Sequence, residues 1–358
     1  MFNKALWLRN YKLSKFVVWG LWLVCLYFPY KLNNFLRIEE YSLLHYDEWG
    51  NSEPYTLYFG NFLEVGLFQV LASILLATVL IGLERTNQNL DFTLALPYKR
   101  SDIFFSKWIF GVFHLTIALA VSVLISMFIL GNSVLHEYLP LSALGYYFVL
   151  ALATLIGVFT FSQFMGLIGA SFVSQFAFSV IFLFLPYGFY NLVIQGISHH
   201  YRAITGDYFI RENFGIQRFD NYAENLSFPL QLLEFDKGIN EKYLWKQATF
   251  LSTLSVIIIP IIVTIISLYL IKRLSSRIKS ENNGKILAYE KLLPYLKVGV
   301  FICFYLFGGM VFGSHHYTYE PPSLLAYHLG GLGFSIIAYL ILTKLAGKRL
   351  QFRKNIRN

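Results

Sequence analysis

The residues of this chain that carry reactive chemistry fall into a few groups, and most of them lack the neighbours their chemistry needs. Seven of the eight histidines, His45, His136, His199, His200, His315, His316 and His328, sit between or at the ends of apolar runs on the acidic side of the chain. Adjacent imidazoles such as His199 and His200 suit a borderline cation. No cysteine accompanies them, so no metal set is assigned. The pair Glu39-Glu40 has the form of an intramembrane-protease dyad, but it lacks a following arginine and lies outside any apolar run. Cys25 and Cys303 fall in separate apolar stretches, which argues against a disulfide framework. There is no His-Glu-x-x-His for a zinc protease. The only Gly-Lys pairs, Gly284-Lys285 and Gly347-Lys348, have no glycine five positions earlier. The chain therefore has no phosphate-cradling loop of its own, and any ATP it depends on is bound by a partner subunit. It is expected to hold no cofactor and to catalyse no reaction.

A second group is polar side chains inside apolar runs. Gln69, Gln163, Gln175 and Asn191 are candidates for a translocation path, because buried polar groups in spans are costly. Hydrogen bonding between helices is the competing explanation for each. No charged residue lies at mid-depth of an apolar run, which weighs against a proton- or ion-coupled carrier. The most informative stretch runs from Glu84 to Lys107. Residues 89–96 have the content of a short helix, with Asn89 as N-cap, Leu90, Phe92, Leu94 and Leu96 apolar, and Pro97 blocking continuation. Ser101 and Asp102 then begin another helix. A short helix pinned between two long ones and carrying apolar side chains suits a protein partner.

The elements that position these residues are long and apolar. Apolar residues make up 56% of the chain and charged ones 14%, against roughly 25% in a soluble protein. Runs near 16–36, 63–83, 108–130, 140–162, 171–194, 247–271, 296–313 and 323–343 are each long enough to cross about 30 Å of hydrocarbon. The expected fold is all-α, a polytopic membrane bundle of about eight helices. With the N-terminus cytoplasmic, the inner segments hold 21 of the 29 basic residues and five of the 20 acidic ones. That places both termini in the cytoplasm of a cell-membrane protein. The basic pI follows from this topology, and nucleic-acid binding is excluded as a reading. Residues 1–15 read as an interfacial helix on the inner leaflet, with Arg9 intruding on its apolar face. The outer loop 37–62 is rich in acidic and aromatic residues, and 195–246 reads as a small helical cap or gate. The run 272–297 reads as a hydrophilic linker, and the glycines of the last two spans read as helix-packing contacts.

The stretch 84–107 resembles the corresponding loop of type-2 ABC transporter permeases. In that family a Glu follows the second span, then a short helix, a Leu-Pro, an Arg, and a Lys before the third span. Glu84, Leu96-Pro97, Arg100 and Lys107 stand at those positions. The resemblance extends over about residues 1–275, through a short uncharged turn between Phe161 and Ser174 and Leu185-Pro186 in the fifth span. It implies that residues 89–96 are a coupling helix docking on a separate ATPase subunit, with Glu84, Leu90, Leu94, Pro97, Arg100 and Lys107 as the coupling residues. It also implies a second permease subunit. The family form has six spans, so 1–275 reads as a permease core and 276–358 as an addition of linker, two spans and basic tail. The expected function is an exporter permease. A secondary carrier or channel, and a non-transporting accessory or sensory subunit, are the alternatives.

Overall fold

The structure is a computed structural model that describes residues 4–46, 55–206, 217–244, 250–278, 282–313 and 323–346. Asp47, Glu48, Trp49 and Glu53 of the first loop lie outside the described residues. So do Tyr208, Phe209, Phe214 and Trp245 of the second, His315, His316, and the basic tail after Ala346. The fold is all-α, and among the described residues eight helices are long and apolar enough to cross a membrane.

Among the described residues, the chain runs through α1 (Lys4–Leu44), α2 (Leu63–Thr86), α3 (Leu90–Leu94), α4 (Arg100–Gly131), α5 (Leu141–Ile168) and α6 (Phe172–Thr205). It continues through the short α7 (Gln217–Leu226), α8 (Pro229–Leu233) and α9 (Phe235–Ile239). The last three helices are α10 (Phe250–Ser275), α11 (Leu293–Gly313) and α12 (Leu324–Ala346). One expectation is corrected at the start. The basic N-terminal stretch is not a separate helix lying on the membrane, because α1 is continuous over 41 residues. At 1.5 Å per residue it is about 60 Å long. The lysines that look interfacial in sequence extend the same helix that spans.

The core is a bundle of α1, α2, α4, α5 and α10 with α6 against α2 and α5. Leu21, Cys25, Phe28 and Leu32 of α1 pack with Val70, Ile74 and Ala77 of α2, and with Leu115 and Leu119 of α4. At the end opposite α3, the short helices α7–α9 close the bundle. Phe235 lies against Phe28, Tyr147 and Phe62, with ring centroids 5.9, 4.6 and 5.7 Å away. Pro186 interrupts the ladder of α6, and the Tyr187 amide donates to Ser227 Oγ at 2.9 Å, tying the cap to the break.

Helices α11 and α12 pack on each other and against α6. A side chain at Gly309 would collide with the Tyr327 ring, its Cβ falling 2.5 Å from the nearest ring atom. The glycines thus let the two helices approach closely, as expected for a membrane pair. The linker differs from its expected hydrophilic form. Ala170 N–H donates to the Ile286 carbonyl at 3.3 Å, Gly284 N–H to the Ala170 carbonyl at 2.6 Å, and Ala288 N–H to the Ile168 carbonyl at 2.8 Å. Ile286 and Leu287 are buried against Met165 and Phe178. An extended strap therefore binds the α5–α6 turn. The cause is the apolar triplet Ile286-Leu287-Ala288, which lies inside an otherwise polar run.

Candidate functional site

Helix α2 ends in three consecutive residues that each bind a different part of the bundle. Glu84 stands in the last turn, where the negative end of the helix dipole disfavours a carboxylate. Two cations offset this. Lys107 Nζ of α4 lies 2.6 Å from Glu84 Oε2 and also donates to the Leu80 carbonyl at 2.5 Å. Arg9 Nη2 of α1 lies 3.0 Å from Glu84 Oε1. Glu84 is 3% exposed and Lys107 1%, so the pair is withdrawn from water. Such a pair is costly to break, because either partner alone would be a buried unpaired charge.

The same carboxylate reaches α3. Thr93 Oγ1 lies 3.3 Å from Glu84 Oε2, and Arg9 Nη2 also donates to Thr93 Oγ1. The turn between α2 and α3 is closed by Asn89 N–H donating to the Glu84 carbonyl at 2.8 Å, with Gln88 at φ 59°. Glu84 therefore joins α1, α2, α3 and α4. Arg85, fully buried, donates from Nη1 to the Gly169 carbonyl at 3.1 Å. Thr86 Oγ1 accepts from the Phe172 amide at 2.7 Å. These two bonds bring the α5–α6 turn, and the strap on it, to the same place.

The six candidate coupling residues divide by exposure. Leu90 is fully buried with Ile81, Phe104, Leu167, Ile271 and Ile278, so its side chain is spent on the bundle and offers no docking surface. Leu94 is half-buried on the same cluster. Pro97 and Arg100 are exposed, and Arg100 Nη1 donates to the Ile278 carbonyl at 3.3 Å. Glu84 and Lys107 are internal clamps. The large apolar side chain that α3 turns to solvent is Phe92, 82% exposed. Sequence reasoning counted Phe92 toward the apolar content of the helix without singling it out. It missed Arg9, Thr93, Arg85 and Thr86. Arg9 left one trace, a charge on the apolar side of an otherwise amphipathic stretch.

Two of the four candidate path residues, Gln69 and Gln175, bridge helices inside the bundle. Gln69 and Tyr147 are both buried and exchange hydrogen bonds at 2.8 and 3.0 Å. Gln175 Nε2 donates to the Ser162 carbonyl at 2.8 Å and the Ala77 carbonyl at 3.2 Å, bridging α6 to α5 and α2. Gln163 is buried on α5, and among the described residues its Nε2 has no hydrogen-bond partner. Asn191 Nδ2 donates to the Tyr187 carbonyl of its own helix at 3.2 Å. The geometry of Gln69 and Gln175 is that of interhelical hydrogen bonds. Glu39 and Glu40 likewise have structural partners: Tyr55 OH donates to Glu39, and Ser133 Oγ donates to Glu40. Burial and the Glu39 carboxylate hold the Tyr55 phenol above its ordinary pKa.

No family model matches the chain, and no solved structure matches it. A multi-pass membrane protein with a short helix clamped between its second and third spans nevertheless has a curated relative. The chain is similar to the "Probable ABC transporter permease YtrC" of Bacillus subtilis (strain 168). The two are 25% identical over 269 residues, covering 72% of this chain and 71% of that protein.

Proposed function

We propose that this chain is the membrane-spanning permease subunit of an ATP-binding cassette transporter, acting as an exporter with a separate ATPase subunit and a second permease subunit. The observation that carries this reading is α3 itself. It is too short to span, it is clamped by Glu84 to three long helices, and it turns Phe92 to solvent. The similarity to a protein named as a permease supports it.

The mechanism is mechanical. ATP stays on the partner, and closure of the ATPase pair presses on the exposed side of α3 around Phe92 and Pro97. Leu90 and the Glu84 carboxylate pass that displacement to α1, α2 and α4 together, so the spans rock as a set. The basic end, carrying α3, faces the cytoplasm, with the α7–α9 cap outside.

Phe92→Asp places a charge where an apolar contact is needed and touches no span. The variant should insert normally and lose co-purification of the ATPase from native membranes. Retention of the ATPase at the wild-type ratio would overturn the docking assignment. Orientation is checked separately by a single cysteine replacing Asn225 of α7, introduced after removal of Cys25 and Cys303. An impermeant thiol reagent should label it in intact cells, and labelling only after lysis would reverse the topology.

A further inference from the structure

The end of the molecule opposite Glu84 holds a cluster that the permease reading does not use. Where α6 meets the added pair α11 and α12, a cleft of about 530 Å³ is bordered by His200, Tyr305, Tyr327 and His328 among others. His200 belongs to α6 and His328 to α12, and their ring centroids are 5.2 Å apart at an interplanar angle of 62°. Tyr327 stands edge-on to both, at 4.9 and 5.5 Å.

The hydrogen bonds of the two rings decide what their other nitrogens can do. His200 Nδ1 lies 2.7 Å from the Gly196 carbonyl. A carbonyl only accepts, so Nδ1 carries the proton and Nε2 of the neutral ring is left with its lone pair. His328 Nδ1 lies 2.6 Å from the Tyr305 hydroxyl. That hydroxyl can accept as well as donate, so it permits the tautomer in which His328 Nε2 is also bare. Metal-binding imidazoles are held in this way, one ring nitrogen donating to an oxygen and the other free to ligate.

We propose that His200 and His328 form a two-imidazole site for a divalent transition metal of the zinc type, tying the added helix pair to α6. Imidazole nitrogen is a preferred donor for such ions. Among the described residues no group of three or more metal-ligating side chains gathers, so these two imidazoles leave coordination positions for water or a further ligand. The site does not rest on the permease reading.

The test loads the purified full-length protein in detergent with zinc chloride. X-ray absorption of the zinc-loaded wild type should show two imidazole ligands at about 2.0–2.1 Å, a readout that needs no substitution. His200→Gln and His328→Gln should each abolish this site. Tyr305→Phe, which removes only the supporting hydroxyl, should weaken zinc affinity by about 10- to 100-fold. Absence of zinc binding by the wild type overturns the proposal. So does zinc with fewer than two imidazoles, or zinc that persists undiminished in the His200→Gln/His328→Gln protein.

Discussion

Helix α2 carries a glutamate cluster at each end, and the two are built from similar parts. Glu64, in the first turn, receives Lys31 of α1 and the Tyr27 hydroxyl, the latter at 3.0 Å. Glu84, in the last turn, receives Arg9 of α1 and Lys107 of α4. They differ in solvent and in dipole. Glu64 is 40% exposed and stands at the helix end that favours an anion. Glu84 is nearly sealed and stands at the end that disfavours one. A carboxylate at the first position is comfortable with or without its partners. At the second it is tolerable only while its cations hold it, which makes it a fastening for the helices they belong to. The end that needs fastening is also the end that carries α3.

The largest expected effect comes from neutralising Glu84. Glu84→Gln leaves the Lys107 ammonium buried without a counter-charge, a change that costs about 3–5 kcal/mol in comparable pairs. The thermal midpoint in detergent should fall sharply, and α3 should become accessible to protease. Removing the Lys107 charge as well, in Glu84→Gln/Lys107→Met, should recover most of the loss, since the ammonium is then no longer buried without its counter-charge and Arg9 is 34% exposed. If the double variant is as unstable as the single one, the carboxylate is acting through something other than Lys107, and the contrast between the two ends of α2 loses its basis.

The fold was legible in the sequence wherever length and apolar content decided the outcome. Each of the eight spans announces itself as a run long enough to cross a bilayer, and each is a helix. The short helix was legible because its apolar residues lie between Asn89 and Pro97 and Glu84 to Lys107 keep a recognisable spacing. It is shorter than the expected 89–96, running from Leu90 to Leu94 and stopping before Pro97. What was not legible depended on partners far apart in the chain. Arg9 meets Glu84 across 75 positions, and Gln69 meets Tyr147 across 78. No local pattern records such a pairing. Leu90 and Phe92 look equally apolar in sequence, yet one plugs the bundle and the other faces solvent. A helix of five residues has too little periodicity to tell its two sides apart. The strap was hidden for a similar reason. Ile286, Leu287 and Ala288 belong to a stretch of four residues between Lys285 and Glu290, too few to stand out from a basic run.

A smaller effect is expected at Arg9, whose side chain is 34% exposed. Arg9→Gln keeps a hydrogen-bond donor near Glu84 and Thr93, and Lys107 still neutralises the carboxylate. The stability loss should be about 1–2 kcal/mol, in the range of a charge-assisted hydrogen bond. It should appear chiefly as faster amide hydrogen exchange in α3 and in the first turns of α1, with the rest of the bundle unchanged. A loss as large as that of Glu84→Gln would mean that Arg9, rather than Lys107, is the principal counter-ion.

The smallest effect belongs to the other end of the same helix. Glu64→Gln removes a carboxylate that water already solvates, so Lys31 is left with water in place of its partner rather than stranded. The Tyr27 hydroxyl can still donate to the side-chain carbonyl of the introduced glutamine. The helix loses a favourable charge in its first turn, a contribution that salt screens. The thermal midpoint should therefore lie within error of wild type in moderate salt and slightly below it in low salt, and the Glu84 cluster should be untouched. A salt-independent loss comparable to that of Arg9→Gln would show that the Glu64 cluster also fastens α1 to α2. The two ends of α2 would then be equivalent clamps, and burial would no longer set the end carrying α3 apart.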